Sequence, residues 1–279
     1  MAVEQNIKHS LDFIRSECDI SPSIGLILGS GLGDFADSLS HKVTISTSII
    51  PHYPISTVSG HRGNLVFGYV NKIPLLAVQG RTHYYEGYQI SEVAYVVRLM
   101  ANLGIRLLFV TNAAGGVNTS FQPGDLMLIR DHINFLFRNP LVGMVISSES
   151  RWPDMYNAYD NTYSEIIENI AMELNIPLKN GILFSSTGPT YETKAEINVA
   201  RRFGADAVSM STVPEVLVAR ANKIKTVGIS CITNMATGIS GSKLSHDEVT
   251  EIAHQVKLKF KQLLVKSIEA LGKIILDDP

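Results

Sequence analysis

Short apolar runs that stop abruptly at small or polar residues recur along the chain. The clearest is IRLLFVTNAAGG at 105–116. A few continuous apolar residues bounded by glycine and polar residues read as a buried strand. The pattern therefore predicts a strand over 105–110 that opens into a small-residue turn over 112–116. The same layout predicts strands over 24–28 before GSGLGD, over 181–185 before TGPTYET, over 206–210 before STVPE, and over 226–232 before Thr233 and Asn234. LVFGYV and PLLAV flank Asn71-Lys72 as a hairpin would, and 124–130 runs into Asp131, His132, Ile133 and Asn134.

Between the strands the period changes to that of helices. The first 20 residues have apolar positions at helical spacing, and helices are also expected over 34–39, 91–104, 162–174, 192–203 and 214–221. Thr212 and Glu215 have the spacing of a capping box with Pro214 in the first turn, and Ser245 with Glu248 repeats that box ahead of a long final helix. Residues 138–159 follow neither period and form a long excursion around Trp152. Helices joined to strands by short links give an α/β fold, a sheet covered on both faces, with the strand ends converging on one edge.

The composition adds mainly exclusions. With 45% hydrophobic and 18% charged residues and a formal net charge of −2 over 279 residues, nothing favours nucleic acid or an acidic membrane as partner, so any anion site must be local. Neither a signal-peptide core nor a run of about 18 apolar residues is present, which points to a cytoplasmic protein without a membrane span. Cys18 and Cys231 lack metal-ligand spacing and read as idle thiols of a reducing compartment.

The strand ends carry two kinds of chemistry. Ser30 in its glycine-rich loop, Arg81 with His83 two residues on, and Ser211 beside a helix start are hydrogen-bond donors suited to an oxyanion, together with the amides of the 112–116 turn. For the glycine loop a plain tight turn remains open, and for Arg81 a solvated pair with a nearby glutamate. His83 has no partner at metal-ligand spacing. Glu192 and Asn234 are a carboxylate and a carboxamide of the sort that reads the donor and acceptor edge of a heterocycle, with Tyr191 available to pack on its face. An anion beside a heterocycle suggests transfer of a group between a base and phosphate. The segment from Asn234 to Ser245 reads as a lid or a surface connection, and Trp152 as a cap on a site, part of a subunit interface, or an ordinary packing aromatic.

The motifs LGSGLG (28–33), SGHRG (59–63), GRTHYYEG (80–87), TNAAGG (111–116), GPTYET (188–193), SMSTVPE (209–215) and TN (233–234) together resemble the trimeric, inosine/guanosine-type purine nucleoside phosphorylases, in order and over nearly the whole chain. The resemblance implies one domain over 1–279 with a central mixed, largely parallel sheet flanked by helices, a homotrimer, and no cofactor or metal, inorganic phosphate being the co-substrate. It assigns phosphate to Ser30, His61, Arg81, His83, Ser211 and the backbone of Ala113. Tyr85, His246 and the backbone of Met210 would address the ribose. Glu192 and Asn234 would hold the purine, beside Ala114, Gly115, Tyr191 and Val208, with Trp152 reaching in from a neighbouring subunit. Asn234, His83 and Glu192 would carry the catalysis. Tyr191 and Trp152 stand where mammalian members have phenylalanine. Asn234, an amide able to donate to a 6-oxo group, favours inosine and guanosine and disfavours a methylthioadenosine phosphorylase-like activity. The presence of both half-sites argues against a non-catalytic purine sensor.

Overall fold

The computed structural model describes residues 2–143, 146–239 and 246–277. The apolar runs become the strands β1 (Ile24–Leu28), β2 (Ser40–Ser46), β3 (Asn64–Val70), β4 (Ile73–Gln79), β5 (Leu107–Gly116), β6 (Leu126–Asn134), β7 (Leu178–Ser185), β8 (Ala207–Ser209) and β9 (Lys225–Met235). The helices are α1 (Ala2–Glu17), α2 (Ile90–Val93), α3 (Tyr95–Asn102), α4 (Asn161–Glu173), α5 (Lys194–Arg202), α6 (Val213–Ala221) and α7 (His246–Asp277).

Strands β2-β3-β4-β1-β5 form an open wing, and β5-β8-β7-β6-β9 close on themselves because β9 pairs back onto β5. Parallel pairs join β1 to β4 and β5, β9 to β5, and β7 to β6 and β8, while β2–β3, β3–β4, β5–β8 and β6–β9 are antiparallel. The sheet is thus mixed, as expected. The hairpin at Asn71-Lys72 is also present, with Asn71 at φ 53°.

Alternation along the strands divides the core between the two faces of the sheet. On β5, Leu108 and Val110 pack with α1, α3 and α6, whereas Leu107 and Phe109 pack with α4 and α7. Helix α1 contributes Ile7, Leu11 and Ile14, all buried and spaced three to four apart. Each such side chain, fully buried, stabilises the fold by roughly 1.5–3 kcal/mol. Cys18 and Cys231 are buried free thiols, as the sequence suggested. Among the described residues, no helix is long and apolar enough to cross a membrane.

Four local expectations are corrected. Residues 112–116 are not a turn: β5 runs on to Gly116 because Ala113 and Ala114 pair with Cys231 and Ile232 of β9, and Gly115 and Gly116 with Val208 and Ala207 of β8. A register shift at Ala114/Gly115 bends the strand there. Residues 33–38 form a 3₁₀ turn in place of an α-helix, and the helix expected over 91–104 is divided at Ala94 into α2 and α3. The helix expected from 192 begins at Lys194, capped by Thr193 and Glu196, which leaves Glu192 in the preceding loop. The expected lid and the Ser245/Glu248 box fall largely outside the described residues.

Candidate active site

The carboxyl ends of β1, β4, β5, β8 and β9 surround a cleft of about 760 Å³ of empty space that opens to solvent. Gly29 permits this convergence: a Cβ there would lie 2.7 Å from Asn112 Cα, so a side chain would force β1 away from β5. The Gly29 N–H donates to Thr111 Oγ1 at 3.0 Å, and that hydroxyl donates to the Ile27 carbonyl at 3.0 Å.

One half of the cleft is rich in donors. Arg81, 4% exposed, is fixed from several sides. Its Nη1 donates to Thr212 Oγ1 at 2.9 Å, its Nη2 to the Thr111 and Ile27 carbonyls at 2.5 and 3.4 Å, and its Nε lies 3.4 Å from Glu215 Oε1. Its acidic neighbour is therefore buried, and the pair is not a solvated surface one. Burial pulls the Arg81 pKa below its usual value, with the charge of Glu215 acting in the opposite direction. The Thr212/Glu215 capping box does not form. Thr212 has φ 78° and ψ −51° with no side-chain cap, and its hydroxyl oxygen accepts from Arg81 and from Asn112 Nδ2 (2.8 Å) instead. Val213 N–H donates back to the Ser211 carbonyl at 2.9 Å, which makes Thr212 the centre of a positive-φ γ-turn. Helix α6 thus starts at Val213, with Ser211 just before its cap and its hydroxyl 3.3 Å from that of Ser209.

Beside Arg81, three rings stack: His61 on His83 with centroids 5.3 Å apart, and His83 on Tyr85 at 4.7 Å. His61 Nδ1 lies 2.9 Å from the Arg81 carbonyl oxygen, and its Nε2 lies 3.3 Å from the Ser30 hydroxyl. Burial first, and then the neighbouring His83 charge, push the His61 pKa down to about 4, so this imidazole is neutral at neutral pH. Glu86 orients His83, its Oε1 lying 3.0 Å from His83 Nδ1 and accepting from the His83 N–H at 2.7 Å. Burial acts to raise the Glu86 pKa, but hydrogen bonds from His83 and Thr57 outweigh it and hold the carboxyl at about 2.

In the other half, Glu192 Oε1 accepts from the Ser186 hydroxyl at 2.7 Å. Across from it, Thr233 Oγ1 donates to Asn234 Oδ1 at 3.0 Å, and Asn234 Nδ2 faces the Met235 carbonyl at 3.3 Å. Val208, Met210 and a half-exposed Tyr191 supply the apolar wall, and Ala113, Ala114 and Gly115 run between the two halves.

Ser30, His61, Arg81, His83, Tyr85, Ala113, Ala114, Gly115, Tyr191, Glu192, Val208, Met210, Ser211 and Asn234 all line this one cleft. Trp152 does not: it is 83% exposed on the 138–159 excursion. The side chain of His246, at the start of α7, lies outside the described residues. The end of β6, Asp131 to Asn134, does not line the cleft either: it pairs with Ile182 to Ser185 of β7, and β7 stands between it and β8. The sequence reading missed Glu86, Asn112, Thr212, Glu215 and Ser186. Glu86 had a local signal in the dense polar cluster of 80–87, Thr212 and Glu215 had one that read as a helix cap, and Ser186 had none.

The sequence model of the phosphorylase superfamily matches residues 23–269. Purine nucleoside phosphorylase 1 of Bacillus subtilis is 49% identical over 96% of this chain and 99% of its own length. The chain belongs to the purine nucleoside phosphorylase family. The Rattus norvegicus purine nucleoside phosphorylase is 40% identical over 96% of the chain and 95% of its own length. Among solved structures, the Schistosoma mansoni purine nucleoside phosphorylase in complex with adenosine superposes with a TM-score of 0.90 at 37% identity, over 95% of this chain and 96% of that one. As in its family, the chain is an enzyme built on a mixed α/β sheet flanked by helices.

Proposed function

We propose that the chain cleaves purine nucleosides with inorganic phosphate, releasing the free base and α-(deoxy)ribose 1-phosphate. The observation that carries this reading is the meeting of the two halves across Ala113–Gly115: a buried arginine with hydroxyl and imidazole groups on one side, a carboxylate and a carboxamide on the other.

Breaking the glycosidic bond makes the sugar cation-like and the purine electron-rich, so charge must be stabilised at both ends. Phosphate held by Ser30, His61, Arg81, His83, Ser211 and the Ala113 backbone would lie below the anomeric carbon, stabilise the developing cation and attack it with inversion. Glu192 would fix the base at N1. Asn234 would strengthen its hydrogen bond in the N7 and O6 region as charge gathers there. Tyr85, the backbone of Met210 and His246 would hold the ribose. No cofactor or metal enters this scheme.

Because an amide can donate to a 6-oxo group, Asn234 favours inosine and guanosine over adenosine. The deciding assay is phosphate-dependent release of hypoxanthine from inosine, run in parallel with adenosine. Absence of phosphate dependence overturns the reaction, and equal turnover of adenosine overturns the preference.

The reading extends to a homotrimer. Phe137, Val142, Trp152 and Tyr156 are all strongly exposed on the 135–156 stretch, an apolar surface suited to a neighbouring subunit's cleft. Two unpaired buried thiols fit a cytoplasmic enzyme.

A further inference from the structure

Glu215 has no role in the scheme above, yet its environment is unusual. It is fully buried, and neither carboxylate oxygen has a hydrogen-bond partner. A buried carboxylate without hydrogen bonds is costly, and its position needs a reason. Its nearest cation is Arg81, whose Nε is 3.4 Å away and likewise has no hydrogen-bond partner. The contact is therefore one of charge, without the fork geometry that makes arginine–carboxylate pairs strong.

The remaining N–H groups of Arg81 are mostly committed. Nη2 spends its donors on the Thr111 and Ile27 carbonyls, and Nη1 spends one on Thr212. This leaves a single Nη1 N–H for the cleft. Thr212 is itself held in the strained γ-turn where its oxygen accepts from both Arg81 and Asn112. The guanidinium is thus fixed in place by neutral acceptors, whereas its charge is balanced by Glu215.

We propose that Glu215 is the resident counter-charge of Arg81 and sets how tightly the cleft holds an anion. With Glu215 present, the buried guanidinium is balanced before any ligand arrives, so an arriving anion meets a muted positive field. Without that carboxylate the anion becomes the counter-charge, and binding tightens. Moderate affinity suits a site that must take up phosphate and then release a sugar phosphate from the same position. This rests on the reading of the donor-rich half as the phosphate site, and it makes Glu215 an affinity-setting residue that touches no reacting atom.

The sign separates this role from a structural one. If Glu215 only supported the fold around Arg81, removing its charge would loosen the site and weaken anion binding. The proposal expects Glu215→Gln to bind inorganic phosphate about tenfold more tightly, the order expected for one nearby charge removed from a partly screened interior. The measurements are titration calorimetry with inorganic phosphate and the phosphate-induced rise in Tm, which should be larger in the variant. In turnover, the KM for phosphate should fall together with kcat, as product release slows, while hypoxanthine binding measured without phosphate stays unchanged. If Glu215→Gln does not fold, Glu215→Asp keeps the charge but draws it back from Nε, and should tighten phosphate binding by about twofold. Unchanged or weaker phosphate binding in the folded variant overturns the role of Glu215. A wild-type protein whose Tm does not respond to phosphate overturns the phosphate site itself.

Discussion

A Cβ added at Gly115 would lie 3.2 Å from Asn234 Nδ2 and 3.3 Å from Val208 Cγ2. Gly115 carries no positive φ, so the need for glycine there comes from the carboxamide and the apolar wall, and backbone conformation does not require it. Gly115→Ala should displace the Asn234 amide by a few tenths of an ångström while β5 keeps its pairing. The expected result is a fall of about tenfold in kcat/KM for inosine, since small misplacements of a catalytic group cost rate steeply. Tm should change by no more than a few degrees. Steady-state assays and a thermal melt on the same preparation check both.

Removing the carboxamide tests its part in the chemical step. Asn234→Ala should slow that step by roughly 10²-fold or more, on the precedent of a lost oxyanion donor. An unchanged single-turnover rate on inosine would contradict the assignment. Asn234→Asp should instead move the preference toward adenosine, because a carboxylate accepts from a 6-amino group where the amide donates to a 6-oxo group. The ratio of kcat/KM for the two nucleosides measures it.

In the proposed scheme Ser186 acts on the purine through Glu192. With its hydroxyl 2.7 Å from Oε1, it holds one oxygen of the carboxylate and leaves the other toward the cleft. Loss of a charge-assisted hydrogen bond costs about 1.5–3 kcal/mol at most sites. Ser186→Ala should therefore raise the nucleoside KM by roughly tenfold with the phosphate KM unmoved, and initial rates over a grid of both substrates would reveal the split.

The stacked imidazole gives the fold a defined acid sensitivity. His61 is held at about 4 against an ordinary 6.5, so the unfolded chain binds the proton first and stability falls as pH drops from 6.5 toward 4. Glu86, held at about 2 against 4.5, contributes stability that is full above 4.5 and lost as pH falls through 2. Between pH 7 and 5 His61 accounts for a loss of roughly 1–2 kcal/mol, and His132, whose pKa burial also lowers, adds to it. Urea midpoints at these two pH values should differ less in His61→Gln than in the wild type.

Trp152 lies outside its own cleft, and the proposed trimer would bring it to a neighbouring subunit's. Trp152→Ala should raise the nucleoside KM while leaving the monomer's Tm nearly unchanged. Light scattering of the wild type should give the mass of three chains, and a monomer that is fully active would refute the shared site.

What the sequence made legible was whatever depends on local pattern. The apolar halves of the strands, the Asn71-Lys72 hairpin and the donors at Ser30, Arg81, His83 and Ser211 could be read because period and turn chemistry act over a few residues. What failed depends on distant partners. Glu215 has the spacing of a capping box with Thr212, and nothing local shows that Arg81, 134 positions earlier in the numbering, takes both of them. Ala113 to Gly116 look like a turn because small residues are common there. Their strand character comes from β8 and β9, whose arrival no local pattern announces. Ser186 has no local signal, since its partner becomes visible only when the 187–193 loop folds back.

The closed circuit of β5, β8, β7, β6 and β9 also bears on how copies of the chain can associate. The ring has no outer strand, so the outer edge of the sheet is β2 of the wing. That rim is ill suited to templating another chain: it is irregular between Ser40 and Val43, carries Lys42, and exposes Ser40, His41, Lys42 and Thr44 to water. Sheet extension between copies is thereby disfavoured. In the proposed assembly the exposed side chains of Phe137, Val142, Trp152 and Tyr156 then set the geometry without competition from backbone pairing.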